Sequence, residues 1–484
     1  MNINENEIKS IVENVINKLD KELNISINKN KTVVSAKNEA GKNQDGLFDN
    51  INQAINAAEV AHTQLMTLSL DKRKEMIQNI RNLLMEEAGR IAKLAVEETT
   101  FGRVKDKTLK NKIACLKTPG VEDLGSFSYT DDYGLTLVER APYGVIGSII
   151  PSTNPTATVI NNAISMIAGG NSVIFNPHPQ AKESSCQTIK LINRAIIMTG
   201  GPENLVSAIS NPTIDSAKTL MSHPKIKLLV VTGGPQVVKT AMTYQKKVIA
   251  AGPGNPPCVI DETADIPKAA EDIVSGSGFD NNVVCICEKE ILAVSSIADQ
   301  LKTEMIKNNA FELKGEQIKK ITDLVIEKPG REGEEGIPNK VYVGKNAKDI
   351  ASEISLDIPE KTSILFCEVE KDHPLVWTEQ LMPVIPIVRF ENIDQAIDFA
   401  VKCEHGFRHT ASMHSKNIDK LSKMAKMMNC SLFVKNGPCY CGLGYHGAGY
   451  TSFTIATPTG EGLTKAKHFT RERRCTLVGS FRIV

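Results

Sequence analysis

Two cysteines one residue apart, Cys285 and Cys287, lie in the run SGSGFDNNVVCICEKEILAV (Ser275–Val294), where a polar, glycine-bearing segment gives way to an apolar strand-like one. A cysteine is intrinsically very nucleophilic, so one at a loop end can attack a carbonyl and hold the product as a thioester. Its own backbone N–H then stands close enough to help bind the oxyanion that forms. The junction of loop and strand would leave Cys285 accessible. In an extended chain Cys287 would point to the same face, two residues deeper. Buried cysteines also serve as small apolar packing residues, and CxC pairs can bind metal, so pattern alone leaves three roles open. Cys439 and Cys441 form a second CxC pair; neither pair comes with a CxxC or a paired-histidine spacing, which argues against a structural zinc site.

Three further stretches have the right residue types to complete a site. In SIIPSTNPTATVINNA, Asn154 follows a buried strand and precedes a helix, where a carboxamide can donate to a developing oxyanion. A turn or cap residue looks the same. VVTGGPQVVK places Gly233 and Gly234 at a strand-to-helix junction, where backbone approaches a ligand closely and a helix N-terminus favours phosphate. The full G-x-G-x-x-G spacing is missing. AAGPGNPPCVID is a rigid, side-chain-poor turn.

The elements that must hold these residues alternate. GVIGSIIP, SVIFNPHP, LVSAIS, KLLVVTGGP and VIAAGPG read as short strands, separated by the helical runs TVINNAISMIAGG, CQTIKLINRAIIMTGG and QVVKTAMTYQKK. Such alternation predicts a parallel α/β sheet, with ligands beyond the carboxyl ends of its strands. A second block, CICEKEILAV, KVYVG, SILFCEV, PVIPIVRF and SLFVKN, predicts a second α/β lobe. Ahead of both, Ile8, Ile11, Val12, Val15, Ile16, Leu19 and Leu23 fall on one helical face, followed by an Asn- and Lys-rich linker. That amphipathic helix must dock on the parent fold or on an external partner.

The 57 basic and 56 acidic residues leave a net charge of +1, which gives no electrostatic case for nucleic acid or an anionic membrane surface. No apolar run approaches a membrane span, and the opening MNINENE lacks the basic start and apolar core of a secretory signal. Eleven scattered cysteines read as reduced thiols, so a cytosolic protein is expected.

Taken in order, APYGVIGSIIPSTNPT, VIFNPHPQAK, GGPENLV, LLVVTGGP, AGPGNPP, FDNNVVCICEKE, MPVIPIVRF, HTASMHSKN, FVKNGP and TPTGEGLTKAKHFTRERRC resemble the aldehyde dehydrogenase superfamily over residues 47–484. The resemblance is to its CoA-acylating branch, the propionaldehyde and acetaldehyde dehydrogenases of bacterial microcompartments. It implies an α/β fold of two Rossmann-like lobes: a cofactor-binding domain over 46–124 and 144–262 and a catalytic domain over 263–465. Residues 125–143 and 466–484 are then oligomerisation strands of a dimer or tetramer. The helix over 1–23, on its linker 24–45, resembles an encapsulation peptide that binds a microcompartment shell protein in the bacterial cytoplasm.

By the same resemblance Cys285 is the nucleophile and Asn154 stabilises the oxyanion, without a metal. Glu379 contacts the nicotinamide ribose of NAD; Thr232, Gly233 and Gly234 lie beside its pyrophosphate; Asn176, His178 and Pro179 meet its adenosine ribose. Pro151, Ser152, Thr153 and Gly252 line the rest of the cofactor cleft. Hydrolytic members carry a glutamate before a Gly-Gly turn to activate water, and Ala250 stands in that place here. Coenzyme A is then the acceptor, and a short aldehyde, propionaldehyde before acetaldehyde, is oxidised to acyl-CoA. A hydrolytic dehydrogenase and a catalytically inactive shell-associated protein are the rivals. Two departures bear on the acyl pocket: Val284 stands where relatives commonly have proline, and GYHGAGY around His446 replaces a more glycine-rich stretch. The final RERRC run is either a CoA-phosphate contact or a solvated or inter-subunit charged segment.

Overall fold

The computed structural model describes residues 45–484. The expected docking helix over 1–23 and its linker, Asp45 apart, lie outside the described residues. Two helices follow the short opening strand Leu47–Phe48. Asn50 caps Ile51–Leu65 by accepting from Asn52 N at 2.9 Å, and Ser69 caps Leu70–Thr99 by accepting from Lys72 N at 3.1 Å. In the longer helix Met76, Ile77, Ile80, Leu84, Ala88 and Ile91 recur every three or four residues and are all buried, so its apolar stripe faces the core.

Six parallel strands form the first sheet, in the order Leu47–Phe48, Val206–Ile209, Ser172–Pro177, Val145–Ile150, Ile226–Thr232, Lys247–Ala251. From Val145–Ile150 the chain builds outward in one direction, then returns to add Ile226–Thr232 on the other side. The carboxyl ends of those two neighbouring strands are therefore a topological switch point, where α/β sheets open a crevice. Helix Pro155–Ala168, buried along its whole length, packs behind this point.

The second sheet has seven parallel strands, in the order Ala310–Glu312, Ile364–Glu368, Val384–Phe390, Glu290–Val294, Pro257–Ile260, Thr410–His414, Leu432–Lys435. Pro257–Ile260 pairs with Glu290–Val294 and Thr410–His414, so the lobe boundary falls after Ala251 rather than at 262. The one Gly/Pro turn, at residues 252–257, precedes this strand, and only its pairing shows that it marks the crossing between sheets. KVYVG is a turn instead of a strand: Val343 drops into the core while Val341 stays exposed, and the strands missed in this sheet include the short Ala310–Glu312 and the buried Thr410–His414. Phe127–Asp131, Gly134–Pro142 and Thr470–Val478 make a separate antiparallel sheet. The RERRC run lies on its solvent-facing last strand. One core cluster joins the lobes: Val284, Ile286, Cys287 and Cys439 pack with Ile150, Ile160 and Ile164 of the first.

Candidate active site

Every residue from Gly276 to Val294 is buried except Cys285. The expected strand does not begin there. Residues 283–289 are irregular and the strand starts at Glu290, so the two thiols do not share a strand face. Cys287 is fully buried, its Sγ donating to Phe279 O at 3.7 Å, whereas Cys285 stays partly open.

The irregular path has a local cause. Asp280, Asn281 and Asn282 all take left-handed backbone, with φ of 49°, 54° and 65°, a region that Asp and Asn tolerate best among residues with a side chain. Each side chain ties the strained turn to something different. Asp280 accepts from Arg103 N at 2.7 Å and from Lys107 Nζ at 2.9 Å; Asn281 donates to Gly344 O at 2.9 Å. Asn282 donates to Ser277 O at 2.8 Å and Glu288 O at 3.0 Å, clamping the two ends of the loop. Gly102 must be glycine on two counts, a φ of +72° and the Asp280 carboxylate occupying the space of a β-carbon. Beneath the loop the buried Lys289 donates to Asn282 O at 2.9 Å and to the Asn282 Oδ1.

Across the cleft, Pro151, Ser152, Thr153 and Asn154 are half-buried at the carboxyl end of Val145–Ile150. Asn154 is the N-cap of Pro155–Ala168 but makes no side-chain cap bond, which leaves its carboxamide free for other work. The Oδ1 accepts from Lys110 Nζ, and Nδ2 has Thr153 Oγ1 at 3.3 Å. From the adjacent strand, Thr232 bonds Thr454 through its hydroxyl at 2.9 Å. Gly233 follows at the junction, and Gly234 begins the helix Pro235–Met242 as an exposed N-cap without a side-chain acceptor. Pro235 at the first helical position has no N–H, so the amides that follow it are the ones this helix start turns toward an anion. Asn176, at the end of the next strand, accepts from Ser216 Oγ at 2.6 Å, while His178 and Pro179 lie exposed beyond it.

Gly254 packs against the thiol loop. A β-carbon there would stand 2.9 Å from both the Cys285 carbonyl and the His409 ring, so this position brings backbone, thiol loop and imidazole into contact. Ala250 and Gly252 precede it: Ala250 is fully buried in an apolar cluster with Val231 and Val248, and Gly252 packs under Pro458. His409 is fully buried, bonds Thr410 Oγ1 through Nδ1 at 2.8 Å, and has no partner at Nε2. Burial, with Lys289 adding to it, lowers its pKa to about 4, so the imidazole is neutral at pH 7. Burial pushes the Cys285 thiol up to about 12; Glu379 adds to the rise and Lys289 opposes it. Glu379, also buried, is itself pushed up to about 7 by desolvation, with Lys289 again opposing.

The structure thus brings Cys285, Glu379 and Gly254 to one cleft wall and places the Asn154 carboxamide on the first lobe. His446 is exposed, its ring 4.1 Å from that of Tyr445 and tilted to it by 50°; Cys439 is buried in the core, and Cys441 is half-buried beside Gly437. Sequence reasoning missed His409, Lys289, Lys107, Lys110 and Asp280. A signal existed for Asp280 alone, in the DNN run that favours left-handed turns. The lysines read as surface residues, which lysines usually are.

The Aldehyde dehydrogenase family profile matches residues 30–447. An acetylating acetaldehyde dehydrogenase of Bilophila wadsworthia is 48% identical over 489 residues, covering all of both chains. The crystal structure of Rhodopseudomonas palustris propionaldehyde dehydrogenase with bound CoA and an acylated cysteine superposes with a TM-score of 0.87 at 46% identity, over 90% of this chain and 98% of that one. A propionaldehyde dehydrogenase from the Clostridium phytofermentans fucose utilisation bacterial microcompartment gives 0.88 at 45%, over 91% and 100%. With a family profile over most of its length and a relative 48% identical across both whole chains, the chain belongs to the aldehyde dehydrogenase family.

Proposed function

We propose that this protein oxidises a short aldehyde, propionaldehyde in the first place, with NAD and coenzyme A to give the acyl-CoA through a thioester on Cys285. The observation that carries the proposal is the partly open Cys285, alone in a buried run, in a chain 44–48% identical to relatives named for acetylating and CoA-propanoylating activity. The Cys285 sulfur attacks the aldehyde carbon, and its proton goes to a base; the neutral His409 ring, with Nε2 unpartnered, stands beside Gly254 and the Cys285 carbonyl. The alkoxide that forms accepts from the Asn154 amide and the Cys285 N–H, worth roughly 3–4 kcal/mol per donor in comparable sites. A nicotinamide held at the switch point would supply the hydride acceptor, and loss of hydride from the adduct leaves a thioester on Cys285. The CoA thiol then attacks that thioester and frees Cys285. Ala250 supports this acceptor, because a methyl group in an apolar cluster cannot activate water.

Steady-state kinetics with two-, three- and four-carbon aldehydes should give the highest kcat/KM for propionaldehyde. A clear preference for acetaldehyde would move the assignment to the two-carbon substrate. Docking in a microcompartment rests on the amphipathic pattern of residues 1–23 and on the microcompartment relative. Deleting residues 1–23 should leave soluble activity intact and stop co-sedimentation with shells; unchanged co-sedimentation removes this part. The antiparallel sheet presents Tyr129, Leu477 and Val478 to solvent, which fits a homo-oligomer. Sedimentation of the full chain as a monomer would remove that part.

A further inference from the structure

Three cations and two carboxylates meet between helix Val104–Lys117 and the turn before Cys285. Arg103 pairs with Asp106 at 2.7 Å, and Asp106 also accepts from Asp280 N at 3.0 Å. Lys107 and Lys110 share the one carboxylate of Asp280, and all three are almost completely buried. The cluster keeps one uncompensated positive charge. Buried ion groups of this kind are weak stabilisers, because desolvation offsets most of their attraction. Their placement points to another role. Lys107 also donates to Thr153 O at 3.0 Å, and Lys110 to Asn154 Oδ1. The same pair of lysines therefore grips the segment carrying Asn154 on one side and the turn carrying Cys285 on the other.

A carboxamide has nearly the same shape when turned over, but only one orientation presents a donor to an oxyanion. An ammonium can only donate, so its contact with Oδ1 settles the orientation and leaves Nδ2 facing away from it. The remaining contact of Nδ2 is a long one, to its own neighbour Thr153. We propose that Lys110, held by Asp280, is a positioning residue of the oxyanion site: it fixes the Asn154 amide donor-outward and keeps that amide in register with the Cys285 N–H. The proposal rests on the reading of Asn154 and Cys285 given above.

A double-mutant cycle tests it. In Asn154→Ala, kcat should fall by roughly 100- to 1000-fold. In Lys110→Met it should fall by at least about tenfold, while the rate of Cys285 alkylation by iodoacetamide and the KM for coenzyme A change less than about threefold. In Asn154→Ala/Lys110→Met, kcat should be no lower than in Asn154→Ala alone, because the lysine acts through the amide. Losses that multiply in the double mutant, an unchanged kcat in Lys110→Met, or alkylation slowed in parallel with kcat would each overturn the positioning role. An unchanged kcat in Asn154→Ala would instead remove the oxyanion assignment beneath it. If Lys110→Met gives no soluble protein, Asp280→Asn carries the same cycle, since its amide oxygen can hold only part of the lysine pair.

Discussion

The two sides of the cleft are built in opposite ways. The Asn154 side rests on regular elements: a parallel strand ends, four half-exposed residues turn, and a helix begins. The Cys285 side is irregular, buried and left-handed over three consecutive residues, and it is held by side-chain bonds from Asp280, Asn281, Asn282 and Lys289. The open side can receive a large cofactor because repetitive backbone satisfies its own polar groups. The buried side holds one thiol in a fixed place, and every turn carbonyl or amide that leaves the regular pattern needs a named partner. Binding breadth comes from the first design and positional accuracy from the second.

The contrast between Cys285 and Cys287 is where this account breaks most visibly. Cys285→Ala should abolish aldehyde oxidation, by about 10⁴-fold or more. Cys287→Ala should keep kcat within a few-fold and cost about 1 kcal/mol of stability, since it removes one buried atom. Assay of both variants alongside thermal unfolding checks the pair, and equal activity losses would erase the distinction.

A smaller effect concerns charge beneath the loop. Lys289→Met removes the cation that favours the Cys285 thiolate, so iodoacetamide alkylation at pH 8 should slow. Glu379→Gln removes a negative charge above pH 7, where this carboxyl is ionised, and should speed alkylation several-fold. Below pH 6 the carboxyl is protonated and the Glu379→Gln difference should vanish. Shifts of the opposite sign would mean that these groups do not act on the thiol through their charge.

The regular side of the cleft was legible in the sequence and the irregular side only in part. Alternating apolar runs with Gly/Pro stops announce Val145–Ile150, Ile226–Thr232 and their helices, because local pattern decides them. It does not decide which sheet Pro257–Ile260 joins, since that depends on partners distant in the chain. The apolar run after Cys285 looked extended from its first residue, but the clamp by Asn282 and Lys289 delays the strand to Glu290. His409 lies 124 positions from Cys285 in sequence and meets it only through Gly254. Lys107 and Lys110 sit in a helix whose charge pattern resembles any solvated face; their burial follows from the single carboxylate of Asp280 arriving from another lobe.

In the proposed reaction the acyl group waits on Cys285 for a thiol rather than for water. Mixing enzyme, propionaldehyde and oxidised nicotinamide without coenzyme A should give a burst of one reduced nicotinamide per active site, then a halt. Mass spectrometry should find the acyl group on the Cys285 peptide, and adding coenzyme A should restart turnover. Continuous nicotinamide reduction without coenzyme A, with no acyl group retained on Cys285, would contradict the account.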